Sequence, residues 1–343
     1  MIVKVLLTCV GGGLVPQMIT LFRKSKRYHL DIVGTDISKN AVGKKFCDQF
    51  FVVPKGSSSH YVKKIEFIVK KEKIDLIIPT SDEEAVALAA KRKVFEKIGA
   101  KLACTDIATL RILRDKSKTF QYMEKAGIKM PKWYCAKNLG EIKKYGKKMV
   151  EEYGEVVIKP AIERGGRGVT IISEQTKRKK KNTDRVSFYT SYNEFSKKLP
   201  SSKFSFPSIV MEKLQDPVFD VDMLAWKGDP VSIVARRRLN PIYPNLGHLI
   251  VQNKELTKLA KKIISIFNLS WLYDCDVMFS KNKVPHVIEI NPRQSGSVAV
   301  SLAAGLPLLE NVVALSLGQK IKNRNITAEK KIKLSTSLKA LNR

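Results

Sequence analysis

The first hundred residues alternate between short β-branched apolar runs and amphipathic segments, and this alternation constrains the fold more than any other feature. Strands are predicted at 2–7, 30–35, 49–53, 74–79 and 101–103, and helices at 16–24, 61–71 and 83–98. Strands that alternate with helices indicate a parallel, doubly wound α/β sheet. The chain has 343 residues, so two or three subdomains are expected.

Three polar or glycine-rich features follow strands of this predicted sheet, at the carboxyl ends where ligands bind in such folds. Glycines occupy 11–13, Asp36 ends the second strand, and Asp82 and Glu83 follow the fourth. The glycines lack the spacing of a dinucleotide fingerprint. Close packing of a tight turn is the favoured interpretation, with nicotinamide or flavin binding as the alternative. Asp82 and Glu83 either cap a helix or hold the amine of an acceptor substrate.

The rest of the chain mixes helices with strands that follow one another directly, which is typical of an α+β arrangement. Thr105 and Asp106 are predicted to cap one helix, and Asp115 and Lys116 to open another that ends at Gly127. Further strands are predicted at 156–159, 169–173, 208–212, 221–226, 230–236, 274–279 and 284–290, and helices at 191–199 and 255–267.

The balance of charge is strongly basic, with 63 Lys and Arg against 32 Asp and Glu and a formal net charge of +31. Such a field favours anionic partners, but the basic residues are spread along nearly the whole chain. Solvated lysines are therefore the favoured interpretation, and the dense run at 177–181 is interpreted as a solvated loop. The sequence shows no basic patch with interleaved aromatic residues, so specific nucleic-acid binding is not expected.

The cysteines and histidines argue against disulfides and zinc. The five cysteines are isolated and flanked by apolar residues, which predicts reduced thiols in a cytoplasmic protein; they are Cys9, Cys47, Cys104, Cys135 and Cys275. The four histidines do not cluster in the sequence, which disfavours a zinc site. Lys4, Pro16 and three glycines interrupt the apolar N-terminus, so neither a signal peptide nor a membrane span is predicted.

The strongest functional pattern is the segment VIEINPR at 287–293. Strand alternation places Glu289, Asn291 and Arg293 on one face and apolar residues on the other. Three polar side chains on one strand face are costly unless they bind something. Carboxylate and amide oxygens suit a hard cation such as Mg²⁺, and a guanidinium suits the phosphate oxygens that the metal also holds.

A second carboxylate, Asp276, lies on the preceding predicted strand. A turn near 280–283 would pair this strand with the Glu289 strand as a hairpin. Asp276 and Glu289 would then bracket one or two metal ions that bridge adjacent phosphates. The alternative is an ordinary ion pair on an edge strand.

A glycine-rich turn follows Lys159 at the end of a predicted strand, with Gly165, Gly166 and Gly168 in the turn. Glycines let backbone N–H groups approach phosphate oxygens, and the lysine supplies positive charge. The turn is not a P-loop, because no Gly-Lys-Ser/Thr follows. The strand at 208–212 runs out into a linker, where exposed backbone groups can contact an adenine edge.

Taken together and in this order, these segments resemble the ATP-grasp superfamily, especially proteins similar to the carbamoyl-phosphate synthase large subunit and biotin carboxylase. The resemblance covers roughly residues 1–318 and rests on Asp115-Lys116, IKPAIERGGRGV, VMEKL, DCDVMF and IEINPR. It implies a pre-ATP-grasp domain at 1–110, a small lid subdomain with its linker at 111–207, and a large subdomain with the metal site at 208–320. A C-terminal tail would occupy 321–343.

The resemblance also implies roles for individual residues. Residues expected to contact the nucleotide are Lys116 and Lys159 at the phosphates, the latter also near adenine, Gly165, Gly166 and Gly168 in a flexible lid, and Glu212, Lys213 and Leu214 at the adenine hinge. Residues expected to hold Mg²⁺, with Mn²⁺ as an alternative, are Asp276, Glu289 and Asn291. Arg293 would be catalytic and would steady the transferring phosphoryl group or the acyl phosphate.

Two departures from the family pattern concern the ribose and the substrate. Val218 stands where family members often carry an acidic residue or a histidine, so Asp220 or Asp222 would have to contact the ribose. The arginines at 236–238 and the loop at 242–248 are predicted to line the substrate side, with a solvated face as the alternative. The chain resembles one grasp unit only, so complete carbamoyl-phosphate synthesis is not expected.

The activity implied by the resemblance is that of an ATP- and Mg²⁺-dependent, ADP-forming ligase, which activates a carboxylate as an acyl phosphate for attack by an amine. The alternatives are an ATP-dependent carboxylase or small-molecule kinase, and a non-catalytic nucleotide-binding protein. The expected partners are small-molecule carboxylate and amine substrates, without specific nucleic acid or membrane, and a homodimer is left open.

Overall fold

The computed structural model describes residues 1–163, 167–174, 186–198, 204–240, 246–321 and 330–333. The chain divides into two units, which are described separately. The first unit contains Met1–Arg111, Pro217–Val277 and Ile290–Arg343, and the second contains Ile112–Asp216 and Met278–Glu289. The boundaries predicted after residues 110, 207 and 320 stay predictions. The lysine-rich run at 177–181 lies outside the described residues.

The first unit begins with a parallel sheet, as the alternation of apolar runs predicts. Its strands are β1 (Ile2–Leu7), β2 (His29–Asp36), β3 (Gln49–Val52), β4 (Leu76–Ile78) and β5 (Lys101–Leu102). They lie in the order β3-β2-β1-β4-β5, and each neighbouring pair is parallel. The connecting helices are α1 (Val15–Phe22), α2 (Tyr61–Glu72), α3 (Asp82–Ala89) and α4 (Arg92–Lys97), with a short 3₁₀ helix at Lys44–Phe46. The doubly wound sheet is therefore confirmed.

The prediction of one continuous helix at 83–98 is wrong, because the chain breaks between α3 and α4. Lys91 leaves the helical conformation, with φ −124° and ψ 24°. The break lets the Arg92 guanidinium donate to the carbonyl of Leu102 at 3.1 Å and to that of Thr105 at 2.8 Å. These contacts lie between residues distant in the sequence, so helical periodicity does not reveal them.

The second unit contains a sheet of five strands with helices on it. The helix α5 (Ile107–Leu113) leads into this unit. The elements that follow it are α6 (Lys116–Lys125), β6 (Trp133–Ala136), α7 (Leu139–Tyr153), β7 (Glu155–Pro160), β8 (Val169–Ser173), β9 (Val186–Tyr189), α8 (Tyr192–Lys197) and β10 (Ser208–Glu212). The strand order is β6-β10-β7-β8-β9. The sequence did not predict β6 and α7. Asn138 caps α7 by accepting from the Glu141 N–H at 2.9 Å, and Ile142, Met149 and Val150 bury its apolar face.

A third sheet contains the strands on which the three predicted metal ligands lie. Its elements are β11 (Gln215–Trp226), β12 (Asp229–Arg238), β13 (His248–Val251), α9 (Lys254–Ile266), β14 (Trp271–Phe279), β15 (Pro285–Asn291), α10 (Ala299–Ala303), α11 (Leu308–Ser316) and β16 (Lys330–Ile332). The strand order is β15-β14-β11-β12-β13-β16. The predicted turn after β14 is confirmed, since the Ser280 N–H donates to the Val284 carbonyl at 2.9 Å.

The parallel sheet and the third sheet share contacts within the first unit. The Thr105 N–H donates to the Tyr273 hydroxyl at 2.7 Å, and Tyr273 is almost wholly buried. The Ser25 hydroxyl donates to Glu310 at 2.6 Å. These hydrogen bonds connect segments near the N-terminal sheet to β14, the strand that carries Asp276, and to the helix α11.

None of the five cysteines, all of which the structure describes, forms a disulfide; Cys104 and Cys275 are buried and the other three are half-buried. In the part of the chain that the structure describes, no helix combines the length and the apolar character needed to cross a membrane.

Candidate functional site

Strand β15 carries Glu289 and Asn291, and the division between the two units falls between them. The contacts of Glu289 are therefore described with the second unit, and those of Asn291 and Arg293 with the first. Asn291 is buried, whereas the Glu289 side chain keeps a fifth of its surface exposed.

Hydrogen bonds on both sides fix the Asn291 amide in the first unit. Its Nδ2 donates to Oδ2 of Asp274 at 3.0 Å. Its Oδ1 accepts from Nη2 of Arg293 at 3.1 Å. Asn291 therefore places its amide oxygen beside Arg293, as a shared role in holding a metal and its phosphate requires.

Arg293 also forms an ion pair with Asp82, the first residue of α3. Its Nε lies 3.1 Å from Oδ1 of Asp82. The helix is capped by Ser81, whose hydroxyl accepts from the Glu84 N–H. Asp82 lies in the first turn of α3, where a carboxylate is favourable, although Ser81 and not Asp82 is the capping residue. Its role in holding an acceptor amine stays a prediction.

Asp276, the other expected metal ligand of the first unit, belongs to a buried charged cluster. Its Oδ2 lies 2.6 Å from Nη2 of Arg238. Nε of Arg238 also donates to both oxygens of Asp220, at 3.0 Å each. The Asp220 carboxylate in turn lies 2.6 Å from Nε2 of His248. Arg238 therefore bridges the carboxylates of β11 and β14.

Arg236 occupies the centre of a second set of contacts and is 0% exposed. Its Nη2 donates to Oδ1 of Asp222 at 2.8 Å, and its Nη1 donates to the Ser297 hydroxyl at 2.8 Å. Oδ1 of Asp274 lies 3.6 Å from Nη2 of the same guanidinium. The Ser301 hydroxyl donates to the remaining oxygen of Asp222. Every charged group here is enclosed with a partner of opposite charge, as buried charges require.

The two sets together hold more negative than positive groups. Ligand oxygens of Asp220, Asp274 and Asp276 lie within 4.8 Å of one another. Burial would raise the pKa of Asp220, but the Arg238 guanidinium and the His248 hydrogen bond outweigh burial and hold that pKa well below its usual range. Burial, and then the charges of Asp220 and Asp276, raise the pKa of Asp274 well above its usual range. Burial lowers the pKa of His248, which favours its neutral form.

These contacts correct two sequence expectations. The arginines at 236–238 were expected to meet a substrate or to form a solvated face, but Arg236 and Arg238 are in buried ion pairs and only Arg237 is exposed. Asp220 and Asp222, the suggested ribose contacts, are the partners of those arginines. Residues 242–245 of the expected substrate loop lie outside the described part.

The sequence contains a pattern that indicates this charged network. Asp220 and Asp222 on β11, and Asp274 and Asp276 on β14, lie two residues apart, the period that places side chains on one strand face. Strand β12 ends in three consecutive arginines, of which Arg236 and Arg238 share one face. Adjacent β11 and β12 pair Asp220 with Arg236 across the ladder. Three neighbouring strands with charged residues at this period predict a charged layer, although not which groups pair.

In the second unit, two expected phosphate-binding lysines converge on β15. Nζ of Lys159 donates to the Ile288 carbonyl at 2.8 Å. Nζ of Lys116 lies 2.9 Å from Oε1 of Glu289 and also donates to the Glu163 carbonyl. Asp115 caps α6 by accepting from the Ser117 N–H at 2.9 Å, which fixes the first turn that carries Lys116. The two lysines and an expected metal ligand are therefore brought together.

The glycine-rich turn joins β7 and β8, which form an antiparallel pair. Gly168 has φ +71°, and a Cβ there would lie 3.0 Å from Cγ of Pro160. Both the conformation and the close approach favour glycine at this position. Gly165 and Gly166, the other expected lid residues, lie outside the described residues.

The expected adenine hinge follows β10. Oε1 of Glu212 accepts from the Lys132 N–H at 2.9 Å, and Nζ of Lys213 lies 3.2 Å from Oε1 of Glu155. Leu214 is 3% exposed. These contacts hold the hinge within the second unit. Glu155 is the first residue of β7, the strand that also carries Lys159.

The glycine turn after β1 packs against the end of β2. Oδ2 of Asp36 accepts from the Gly11 N–H at 2.7 Å, and a Cβ on Gly11 would lie 2.8 Å from that oxygen. The structure thus supports close packing as the reason for the first glycine. Nearby, the hydroxyls of Thr8 and Ser81 donate to Glu84 at 2.6 and 2.8 Å. Burial raises the pKa of Glu84.

Three family models match successive parts of the chain. The N-terminal domain of PylC-like proteins matches residues 5–103. A sugar-transfer associated ATP-grasp model matches 102–214, and a model of an ATP-grasp in the biosynthetic pathway with Ter operon matches 205–339.

Known proteins agree with these matches. The chain is 22% identical over 285 residues to the carbamoyl phosphate synthase large chain of Clostridium acetobutylicum, covering 77% of this chain and 24% of that protein. The biotin carboxylase domain of the Hydrogenobacter thermophilus 2-oxoglutarate carboxylase, solved with MgADP and bicarbonate, is similar with TM-score 0.68 and 14% identity over 93% of this chain and 70% of that one. An L-amino acid ligase from Bacillus licheniformis has TM-score 0.63 and 14% identity over 92% and 74%.

The parallel N-terminal sheet, the glycine-turn sheet and the strands with paired acidic residues are those of an ATP-grasp protein. Two ATP-grasp family models match the chain in succession, at 102–214 and 205–339, and the chain is similar to the carbamoyl-phosphate synthase large chain and, in fold, to biotin carboxylase. It spans about a quarter of the length of the curated relatives it matches.

Proposed function

We propose that this chain is an ATP- and Mg²⁺-dependent, ADP-forming ligase that activates a carboxylate as an acyl phosphate and transfers the acyl group to an amine. The observation that carries the proposal is the convergence of Lys116 and Lys159 on Glu289 and its neighbour Ile288. Two ammonium groups held beside a carboxylate can neutralise phosphate oxygens while the carboxylate binds the accompanying metal.

The proposed metal ligands are Asp276, Glu289 and Asn291. Their carboxylate and amide oxygens are the donors that Mg²⁺ prefers, and Mn²⁺ accepts the same set. The buried charges of the first unit also fit a cation, because four aspartates (220, 222, 274 and 276) face two arginines (236 and 238). A bound divalent ion would supply the missing positive charge and would neutralise charge on the phosphoryl oxygens.

The proposed nucleotide contacts come from the second unit. Lys116 and Lys159 would bind the phosphates, and the hinge residues Glu212, Lys213 and Leu214 would receive the adenine. Gly168, together with Gly165 and Gly166, would form a lid that excludes water from a reactive intermediate. The positive φ of Gly168 supports a turn that another residue would strain.

The proposed reaction has two balanced steps. A carboxylate oxygen of the substrate bonds to the terminal phosphorus of ATP while the bond to the ADP oxygen breaks, which gives an acyl phosphate and ADP. The amine nitrogen then bonds to the acyl carbon and loses a proton as phosphate leaves, which gives an amide. Arg293, held by Asp82 and Asn291, would steady the phosphoryl group and then the acyl phosphate. Such transfers depend mainly on positioning and electrostatics.

A carboxylase that uses bicarbonate, or a small-molecule kinase, is the second candidate. It is favoured by the similarity to a biotin carboxylase domain, while the similarity to an amino-acid ligase favours amide formation. The carboxylate and the amine themselves, a homodimer and a cytoplasmic location stay predictions.

Released phosphate and ADP, measured across a panel of carboxylates and amines, test the proposal. Ligation requires that turnover depend on both substrates together and on Mg²⁺. Turnover that depends on bicarbonate without a second carboxylate would support carboxylation instead.

A matched pair of variants tests whether the site is catalytic. Glu289→Gln should abolish ATP turnover, because it removes a metal ligand and the partner of Lys116. Glu66→Gln, at an exposed ion pair with Lys70 on α2, should leave turnover unchanged. If Glu289→Gln and the wild type turn over ATP equally, or if the wild type has no turnover, a non-catalytic nucleotide-binding protein becomes the better description.

A further inference from the structure

Asp274 is one of the buried aspartates of the first unit but is not among the proposed metal ligands. It lies on β14, two residues before the proposed ligand Asp276, and is 3% exposed. Its Oδ2 accepts from Nδ2 of Asn291, and its Oδ1 lies 3.6 Å from Nη2 of Arg236. The Asp274 carboxyl group therefore contacts a proposed metal ligand through one oxygen and a buried arginine through the other.

We propose that Asp274 is a positioning residue that orients the amide of Asn291 so that its oxygen, and not its nitrogen, is presented to the metal ion. This inference rests on the proposed function, since it assigns Asn291 as a metal ligand. Asn291 differs from a carboxylate ligand because only one of its two terminal atoms can bind a cation.

The two neighbours of Asn291 determine which atom points where. Arg293 has donors only, so the atom that faces Nη2 of Arg293 at 3.1 Å must be the amide oxygen. The nitrogen then faces Asp274, which offers an acceptor oxygen whether or not it carries a proton. The amide oxygen has two lone pairs, so it can accept from Arg293 and still bind a metal.

Arg236 holds Asp274 in this arrangement. The guanidinium is 0% exposed and is fixed by Asp222 and Ser297 at 2.8 Å each. It lies against the Asp274 oxygen that Asn291 does not use. Partners of this kind, one step behind a metal ligand, set the orientation of the ligand, and their loss typically weakens metal binding about 10–100-fold.

The test measures Mn²⁺ binding, by electron paramagnetic resonance, to the full chain in the presence of a non-hydrolysable ATP analogue. Asp274→Leu should weaken Mn²⁺ binding about 10–100-fold. The conservative Asp274→Asn keeps the volume and an acceptor oxygen, so it should bind Mn²⁺ much as the wild type does. An equal loss in both variants, or a loss in neither, would overturn the proposal.

A double-mutant cycle separates positioning from a merely structural role. In an Asn291→Asp background either side-chain atom facing the metal is an oxygen, so no amide orientation can be lost. Asp274→Leu should therefore weaken Mn²⁺ binding in the wild-type background and not in the Asn291→Asp background. An equal loss in both backgrounds would mean that Asp274 acts through packing alone. Asp274→Ala replaces the leucine in the same cycle if the latter does not fold.

A metal-free readout distinguishes failure of this inference from failure of the proposed function. The Asn291 side-chain amide donates to Asp274 and the residue is buried, so in asparagine-labelled protein its N–H protons should exchange slowly with solvent. Asp274→Leu should make them exchange faster. Fast exchange in the wild type would refute the positioning role, whereas slow exchange without Mn²⁺ binding would refute the metal assignment alone.

Discussion

Replacing Arg236 by methionine perturbs the most enclosed charge of the first unit. The guanidinium and its partner Asp222 are both 0% exposed, and Nη2 lies 2.8 Å from Oδ1. Without it, Asp222 keeps the Ser301 hydroxyl as a donor, but no cation replaces the lost charge. Methionine keeps the length and apolar stem of the side chain, so loss of charge dominates the expected effect.

The expected destabilisation is large. Two unit charges about 4 Å apart attract by about 4 kcal/mol at an effective dielectric constant of about 20. Removing one partner of a buried pair generally costs about 3–5 kcal/mol, because the other charge remains buried. Folded domains are stable by only about 5–15 kcal/mol, so Arg236→Met should remove a substantial part of the free energy of unfolding.

Urea unfolding followed by tryptophan fluorescence measures this change within the first unit. Trp226 and Trp271 pack edge to face there with ring centroids 5.0 Å apart. The third tryptophan, Trp133, belongs to the second unit and can be replaced by phenylalanine in all variants. The control is Arg237→Met on the same strand, where the side chain is exposed and the change should stay within about 0.5 kcal/mol.

The outcome that would refute the argument is a wild-type midpoint and slope for Arg236→Met. Such a result would mean that the buried pair contributes nothing beyond its own cost of desolvation. The double variant with Asp222→Leu should recover part of the lost stability, since replacing both partners of a buried pair by apolar residues is often neutral or stabilising.

Three other perturbations have definite expected results. Lys159→Met removes the ammonium group that donates to the Ile288 carbonyl at 2.8 Å. A hydrogen bond from a charged group to a phosphate oxygen contributes roughly 1.5–3 kcal/mol, so the KM for ATP should rise about tenfold or more in a phosphate-release assay. Gly168→Ala places a Cβ 3.0 Å from Pro160 at φ +71°, so the hairpin should lose about 1–2 kcal/mol, measured as faster hydrogen exchange of the β8 amides. Burial raises the pKa of Glu84 above 4.5 in the folded state, so folding favours the neutral carboxyl group. The stability that the neutral carboxyl contributes is present below pH 4.5 and is lost as the pH rises through the folded-state pKa. Glu84→Gln removes this pH dependence, so the free energy of unfolding of the variant, measured with urea relative to the wild type, should increase from pH 4 to pH 8. If the difference between the two proteins is the same at both pH values, the raised pKa of Glu84 is contradicted.

Local sequence patterns predicted the elements whose cause is itself local. The runs at 2–7, 169–173 and 208–212 match β1, β8 and β10 residue for residue. Asp115 caps α6 as predicted, because a cap depends on a few neighbouring residues. The stretch at 133–153 that forms β6 and α7 was not predicted, because β6 is short and α7 contains Gly140 and Gly146, which weaken a helical pattern.

The order of the motifs along the chain predicted more of the functional site than any single motif did. Residue type and spacing single out Lys116, Lys159 and Glu289. In the second unit Lys116 pairs with Glu289, and Lys159 donates to the carbonyl of the adjacent Ile288. Asp82 and Asp274 were not assigned their partners, because each partner lies on an element distant in the chain. Arg293 is 211 residues from Asp82 (293 − 82), and no periodicity relates them.

The sequence by itself determined the parallel N-terminal sheet and the residue types offered to a nucleotide and a metal, because strand periodicity and caps act over a few residues. Only the tertiary structure decided which charged side chains pair with one another. It buried Arg236 and Arg238 among aspartates of β11 and β14, although the arginine triplet alone suggested an exposed anion-binding surface. Burial makes an unpaired charge costly, and the pairing that removes this cost depends on strand register and sheet order, which bring together groups from separate parts of the chain.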